Sequence, residues 1–162
     1  MKLLVVCLGN ICRSPMGEGA LRARIAEARL DGWVSVDSAG TSGWHAGDPP
    51  DRRAVACARR HGVDIAGLRG RQLGAGDFHD FDHILCVDRS NLDNARALAP
   101  AGLQQKAVLW LPWAGVTAAE AIPDPYYGDE RDFEHSWALV DAAARATVQR
   151  LSRDGESGII QP

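Results

Sequence analysis

The segment Leu3-Leu4-Val5-Val6-Cys7-Leu8-Gly9-Asn10-Ile11-Cys12-Arg13-Ser14-Pro15 limits the possible folds more than any other part of the chain. Leu3 to Val6 is an uninterrupted apolar run. A run without alternation reads as a strand covered on both faces, as in a parallel sheet. Beyond the polar loop, Met16, Ala20, Leu21, Ile25 and Ala28 recur at helical spacing. Pro15 suits the first position of that helix and Ser14 its N-cap. Strand, tight loop and helix in that order aim backbone N–H groups and a helix N-terminus at one point, which makes an anion site.

The loop residues give that site its chemistry. Cys7 ends the strand and Arg13 opens the helix. A helix N-terminus and a nearby guanidinium both favour the thiolate, the nucleophilic form of cysteine. Arg13 offers a planar fork to two oxygens of a phosphate. Gly9 lets the backbone turn tightly around an oxyanion, and the Ser14 hydroxyl can donate to the sulfur. The pattern is a cysteine nucleophile inside a phosphate cradle. Taken singly, each residue has an ordinary explanation, since a cysteine at a strand end is usually a small core hydrophobe. The conjunction carries the reading.

The rest of the chain keeps the same alternation. The first helix is predicted to run to about Leu30 and to stop at Asp31-Gly32. Residues 33–36 read as the second strand, with 37–43 as a small-residue loop. Residues 53–61 read as a helix with Ala54, Val55, Cys57 and Ala58 inward, closed by Gly62. Residues 64–76 carry few structural signals, and Phe78 and Phe81 are expected to pack a short turn. Residues 83–87 and 107–111 read as strands three and four, 88–98 as a helix and 112–123 as a long loop. Phe133, Trp137, Val140, Ala144, Val148 and Leu151 step by three or four, which predicts a closing helix over about 132–151 and a frayed tail from Ser152. The implied architecture is α/β: a single domain with a four-stranded parallel sheet and helices on both faces, Rossmann-like. The catalytic domain is read as 1–153 and 154–162 as a flexible tail. Ligands in such sheets bind beyond the carboxyl ends of the strands, and Cys7, Ser38 and Asp88 all follow strand ends.

Composition narrows the partners. The 162 residues are 46% hydrophobic and 24% charged with net charge −3, so no basic surface points to nucleic acid or an anionic membrane. No apolar run approaches a membrane span, and the start lacks a signal-peptide layout, so mature cytoplasmic sequence is expected. Cys7, Cys12, Cys57 and Cys86 form no Cys-x-x-Cys pair and no histidine spacing suits zinc. No metal and no cofactor are expected, and free thiols fit a reducing compartment.

These residues resemble the low-molecular-weight protein tyrosine phosphatases. The Cys7–Pro15 loop, Asp37-Ser38-Ala39-Gly40-Thr41, Asp88-Arg89-Ser90-Asn91-Leu92 and Asp124-Pro125-Tyr126-Tyr127-Gly128 match that family in order. The resemblance implies hydrolysis of protein phosphotyrosine and small aryl phosphates through a phosphocysteine on Cys7. Arg13 and the loop residues Leu8, Gly9, Asn10, Ile11, Cys12 and Ser14 would hold the phosphate. It places the general acid at Asp124, in a Pro-flanked loop. A phenol has a pKa near ~10, so protonating it as it leaves helps. Asp-Pro also starts turns on its own, and Asp129 is the local alternative. Trp44, Tyr126 and Tyr127 would wall the cleft against a phosphotyrosine ring, and paired tyrosines at this place are themselves phosphorylated in some relatives. Ser38, Asp88 and Asn91 would support the loop from behind. Asn10 suits a left-handed backbone. Many members carry a histidine where this chain has Leu68, which predicts a softer loop or a compensating partner. Cys12 would protect Cys7 through a disulfide.

The implied partners are phosphotyrosine proteins, among them a bacterial tyrosine kinase, with inorganic phosphate as product. Two alternatives on the same fold stay open. A thiol-dependent arsenate reductase needs a further redox cysteine pair, whereas Cys86 stands alone in its region. A protein-arginine phosphatase carries Thr where this chain has Ile11, whose branched apolar side chain suits an aryl ring better. A third alternative is an anion-binding module that has lost turnover, against which stands the retention of Cys7, Arg13 and Asp124 together.

Overall fold

In the computed structural model, which describes residues 1–156, the opening apolar run is strand β1 (Lys2–Cys7), buried from its second residue onward. It lies in the middle of a parallel sheet of order β2-β1-β3-β4, with β2 at Ser35–Gly40, β3 at His83–Cys86 and β4 at Ala107–Leu109. Its two faces enter different cores. Leu3, Val5 and Cys7 point to the larger one, shared with Met16, Trp110, Phe133 and Val140. Leu4 and Val6 point to the smaller one, with Phe78, Ile84 and Leu92. Side chains alternate along a strand, so a strand with helices on both sides must be apolar at every position. This is the α/β architecture expected from the sequence.

The helices are α1 (Arg13–Glu27), α2 (Arg52–Arg60), α3 (Asp77–Asp80), α4 (Arg89–Leu98), α5 (Trp110–Ala114) and α6 (Glu130–Glu156). Helices α1, α2, α5 and α6 build the larger core and α3 and α4 the smaller. Trp110, fully buried, ties the larger core together through Nε1, which donates to Thr147 Oγ1 at 2.9 Å. Among the described residues, no helix is long and apolar enough to cross a membrane.

Several boundaries differ from the sequence expectation. Strand two is not 33–36: residues 31–33 form a turn, and β2 runs through the small residues up to Gly40. Its register with β1 pairs Val6 with Ala39 and Cys7 with Gly40, so ladder bonds to a central strand override weak strand propensity. Strand four stops at Leu109 because Trp110 and Leu111 turn inward as α5, so 112–123 is only partly loop. Helix α1 ends at Glu27, and Arg29, not Gly32, takes the left-handed position (φ 61) while Leu30 N donates to Ile25 O. Gly62 is left-handed at φ 79 after α2, as expected. Helix α6 starts earlier than expected because Asp129 and Asp132 cap it reciprocally. Asp129 Oδ1 accepts from Arg131 N at 3.0 Å and Asp132 Oδ2 from Asp129 N at 2.8 Å. It then continues through Glu156 where fraying was expected from Ser152. The remainder of the expected tail, 157–162, lies outside the described residues.

Ser14 is not the N-cap of α1. The helix begins at Arg13 with Cys12 in the cap position and no side-chain cap bond. Pro15 falls within the first turn, where its missing N–H has no intrahelical acceptor to lose. The Ser14 hydroxyl is engaged elsewhere.

Candidate active site

Cys7 Sγ sits at the carboxyl end of β1 under the loop that leads into α1. Asn10 N donates to it at 3.2 Å, and Ser14 Oγ lies 3.0 Å away. Asn10 Nδ2 donates to that same Ser14 oxygen at 2.7 Å. With its oxygen accepting there, the single Ser14 hydrogen has two acceptors in reach, the sulfur at 3.0 Å and Ala39 O at 3.5 Å, and the sulfur is the nearer.

The loop carbonyls are turned away from the centre. Cys7 O accepts from Thr41 N, Leu8 O from Ser42 N and Ile11 O from Asp51 N, at 2.8–3.0 Å. Across a trans peptide the following N–H points the opposite way. The amides of Leu8, Gly9 and Cys12 therefore face the other side from those carbonyls. The segments after β2 thus hold the loop open from outside.

Asn10 is the hub of the cradle. Its backbone is left-handed at φ 57, and its side chain is 2% exposed. Nδ2 donates to Ser38 Oγ at 3.0 Å as well as to Ser14, and Oδ1 accepts from Arg71 N at 3.0 Å. Ser38 Oγ in turn donates to Glu18 Oε1 at 2.7 Å. Leu68 is a partly buried core contact. The bonds that hold Asn10 and Ser38 from behind come from the Arg71 amide and from Glu18.

The sequence reading missed both. Glu18 is buried, and burial pushes its carboxyl above the usual range despite the Ser38 hydrogen bond and the charge of Arg22. Arg22 Nη2 lies 2.7 Å from Oε2 as an ion pair rather than an aligned hydrogen bond. The Arg71 guanidinium is clamped by Asp37 at 3.1 Å and by both oxygens of Asp77 at 3.1 Å. Gly40 packs directly on the loop: a Cβ there would meet Leu8 O at 2.7 Å.

Arg13 is 3% exposed. Its Nη1 donates to Asp88 Oδ2 at 2.7 Å and to Ile122 O at 3.0 Å. Asp88 is itself fixed as the N-cap of α4, its Oδ1 accepting from Asn91 N at 2.8 Å. Asn91 thus contributes its backbone, while its buried Oδ1 has no hydrogen-bond partner. Nη2 is turned toward Asp124, whose Oδ2 lies 3.6 Å away. Asp124 is about half exposed and is steadied by Tyr126 N, which donates to Oδ1 at 3.1 Å.

A cleft of ≈ 180 Å³ opens over this floor, lined by Cys7, Leu8, Gly9, Ile11, Cys12, Arg13, Trp44, His45, Asp124, Tyr126 and Tyr127. Trp44 is 76% exposed and Tyr127 95%, while Tyr126 is 39% exposed and meets Tyr127 edge-on at 4.9 Å. His45 was not singled out from the sequence. Its ring lies against the loop, 3.3 Å from where a Gly9 Cβ would stand, and pairs with Asp48 at 3.1 Å. Asp129, the alternative acid, is taken up in capping α6.

Two of the other thiols are held in their neutral form by burial. Burial, with the charges of Asp51, Cys7 and Asp124, drives the Cys12 thiol far up, so it is held protonated. Cys86 is fully buried on β3 and pushed up to about 12 by burial, which makes it an inert core residue rather than a redox partner.

The chain is similar to known proteins along nearly its whole length. Residues 2–157 match the family model described as low molecular weight phosphotyrosine protein phosphatase. The low molecular weight phosphotyrosine protein phosphatase of Sus scrofa is 40% identical over 154 residues, covering 92% of this chain and 94% of that protein. The crystal structure of an Entamoeba histolytica protein tyrosine phosphatase with Hepes in its active site superposes with a TM-score of 0.90 at 31% identity, covering 96% of this chain and 99% of that one. Vibrio vulnificus Wzb in complex with benzylphosphonate superposes with a TM-score of 0.80 at 32% identity, covering 92% and 97%.

Proposed function

The chain belongs to the low molecular weight phosphotyrosine protein phosphatases and hydrolyses phosphotyrosine, and on that premise we propose a two-step mechanism centred on Cys7. The Cys7 thiolate attacks phosphorus, the P–O bond to the phenol breaks, and a phosphocysteine forms. Arg13 and the loop amides bind the non-bridging oxygens, where charge is concentrated in the transition state. Ser14 donates to the sulfur and stabilises it as the leaving group of the second step. Asp124 gives its proton to the departing phenol oxygen, then takes one from the water that attacks phosphocysteine. Inorganic phosphate leaves and the thiolate is restored, with no cofactor in the cycle.

The observation that carries this reading is the shared Arg13 guanidinium. One edge is anchored by Asp88 and Ile122 O while Nη2 turns toward Asp124 at the cleft mouth. A phosphate held by Arg13 would then lie next to Asp124, within reach of the proton its leaving group needs. The Wzb relative was solved with benzylphosphonate, an aromatic phosphonate, which supports an aryl substrate here. Ile11, Trp44, Tyr126 and Tyr127 would receive the ring. The substrates are phosphotyrosine proteins, a bacterial tyrosine kinase among the candidates. Free thiols at all four cysteines fit a reducing compartment such as the cytoplasm.

Hydrolysis of a set of aryl phosphates with rising phenol pKa, alongside phosphotyrosine, phosphoserine and phosphoarginine peptides, tests the assignment. Cys7→Ser should abolish turnover. Asp124→Asn should lower kcat/KM by about 10²–10⁴-fold for poor leaving groups and much less for good ones, while kcat falls for both because the water step also loses its base. Activity confined to phosphoarginine, or an Asp124→Asn effect on kcat/KM independent of leaving group, would contradict it.

A further inference from the structure

Cys57 and His61 lie one turn apart at the end of α2, on the face that packs against α6. Glu134 of α6 reaches them from across that contact. Cys57 Sγ, a His61 ring nitrogen and a Glu134 carboxylate oxygen all lie within 4.8 Å of one another. We propose that Cys57, His61 and Glu134 form a binding site for one zinc-class divalent ion, which would clamp α2 to α6. This proposal stands apart from the phosphatase chemistry.

The donor set fits such an ion. A thiolate, an imidazole and a carboxylate select zinc over magnesium or calcium, which take oxygen sets. Tetrahedral zinc bonds of about 2.0–2.3 Å place neighbouring donors roughly 3.3–3.8 Å apart. His61 Nε2 and Glu134 Oε2 now share a hydrogen bond at 2.6 Å. They need to part by about an ångström while the sulfur draws in by a similar amount, which side-chain torsions alone can supply.

The surroundings already orient the ligands, as the outer contacts of metal sites do. Arg60 Nε holds Glu134 Oε1 at 2.7 Å and leaves Oε2 for the ion, while Arg60 Nη1 is paired with Glu130 at 3.4 Å. The Trp137 ring stacks on His61 at 5.1 Å and 12°. Cys57 is fully buried, whereas the side chains of His61 and Glu134 are 40% and 36% exposed. The ion would sit at the surface above the sulfur, with water in the fourth position.

Without metal, Cys57 is a thiol donating weakly to Phe133 O at 3.6 Å. Burial and then the charge of Glu134 push it up to about 11. Binding therefore forms the metal–sulfur bond and releases the Cys57 proton to solvent, so affinity rises with pH. The sequence analysis found no zinc spacing here, because Cys57 and His61 supply only two of the donors. Glu134 joins them from 73 residues beyond His61.

The test is Zn²⁺ titration by calorimetry on the Cys7→Ser chain, which removes the competing nucleophile, together with Co²⁺ absorption spectra. We expect one Zn²⁺ per chain, a rise in thermal midpoint on loading, and a thiolate-to-cobalt charge-transfer band. His61→Ala, at a half-exposed position that leaves the fold intact, should weaken binding at least about tenfold. Cys57→Ala should erase the charge-transfer band. The proposal fails if binding is not stoichiometric, if His61→Ala binds as tightly as its parent, or if the band survives Cys57→Ala. Should Cys57→Ala not fold, the His61→Ala affinity decides alone.

Discussion

The floor of the cleft and its wall are built on opposite principles. Asn10, Arg13 and Ser14 on the floor are almost wholly buried, and each is hydrogen-bonded to a group from a different part of the chain, Arg71 N, Asp88 and Ala39 O respectively. Trp44, Tyr126 and Tyr127 on the wall are exposed, with the two tyrosines meeting edge-on and Arg53 in cation–π contact over Tyr126 at 5.5 Å. In the proposed mechanism the floor meets the phosphate, which every substrate shares, and gains from being fixed before the substrate arrives. The wall would meet the part of the substrate that varies. Changes to the floor should therefore act on kcat and stability, and changes to the wall on KM.

The sharpest way to break that contrast is Arg13→Lys. Lysine keeps the charge but loses the fork that is anchored on Asp88 and Ile122 O and that would hold the phosphate in the proposed mechanism. We expect kcat/KM to fall by about 10²–10³-fold, with phosphate inhibition weakened in parallel. A loss under tenfold would show that charge alone suffices. Gly40→Ala comes next, because its methyl would strike the Leu8 carbonyl, which is backbone and cannot swing away. Stability should drop by about 1–3 kcal/mol in urea unfolding, with a lowered kcat.

Tyr126→Ala tests the wall. It should raise KM for a phosphotyrosine peptide by about 2–10-fold, from ring contacts worth about 0.5–1.5 kcal/mol. It should leave kcat and inhibition by inorganic phosphate nearly unchanged. The smallest effect is Glu18→Gln beneath the floor. The folded state holds the Glu18 proton more tightly than the unfolded one, so stability is greatest below the ordinary carboxylate range and falls as pH rises toward the raised value. Glu18→Gln should flatten that part of a Tm-against-pH curve. An unchanged curve would remove Glu18 from the network.

The sequence made the floor's chemistry legible because a short stretch holds it. Cys7, Gly9, Asn10, Arg13 and Ser14 fall within eight residues, and strand and helix periodicity flank them on either side. Asp88 was legible for a similar reason, standing between a strand and a helix. What holds the floor in place was much less so. Arg71 contributes a backbone amide, a group every residue but proline carries, so its identity gives no signal. Glu18 looks like any polar position of a helix until β2 lies over it. The residues 37–40 read as loop because their strand conformation comes from pairing with β1 rather than from local preference. His45 and Trp44 sit in irregular backbone, whose direction no periodicity reveals.

The proposed phosphocysteine on Cys7 is tested most directly by rapid quench. The Asp124→Asn chain, in which release of the phosphate is slowed, is mixed with an aryl phosphate, quenched in acid and mapped by mass spectrometry. The account predicts a burst of phenol close to one per chain and a single phosphoryl group on the Cys7 peptide, absent from Cys7→Ser. No burst, or a phosphoryl group on any other residue, would contradict it.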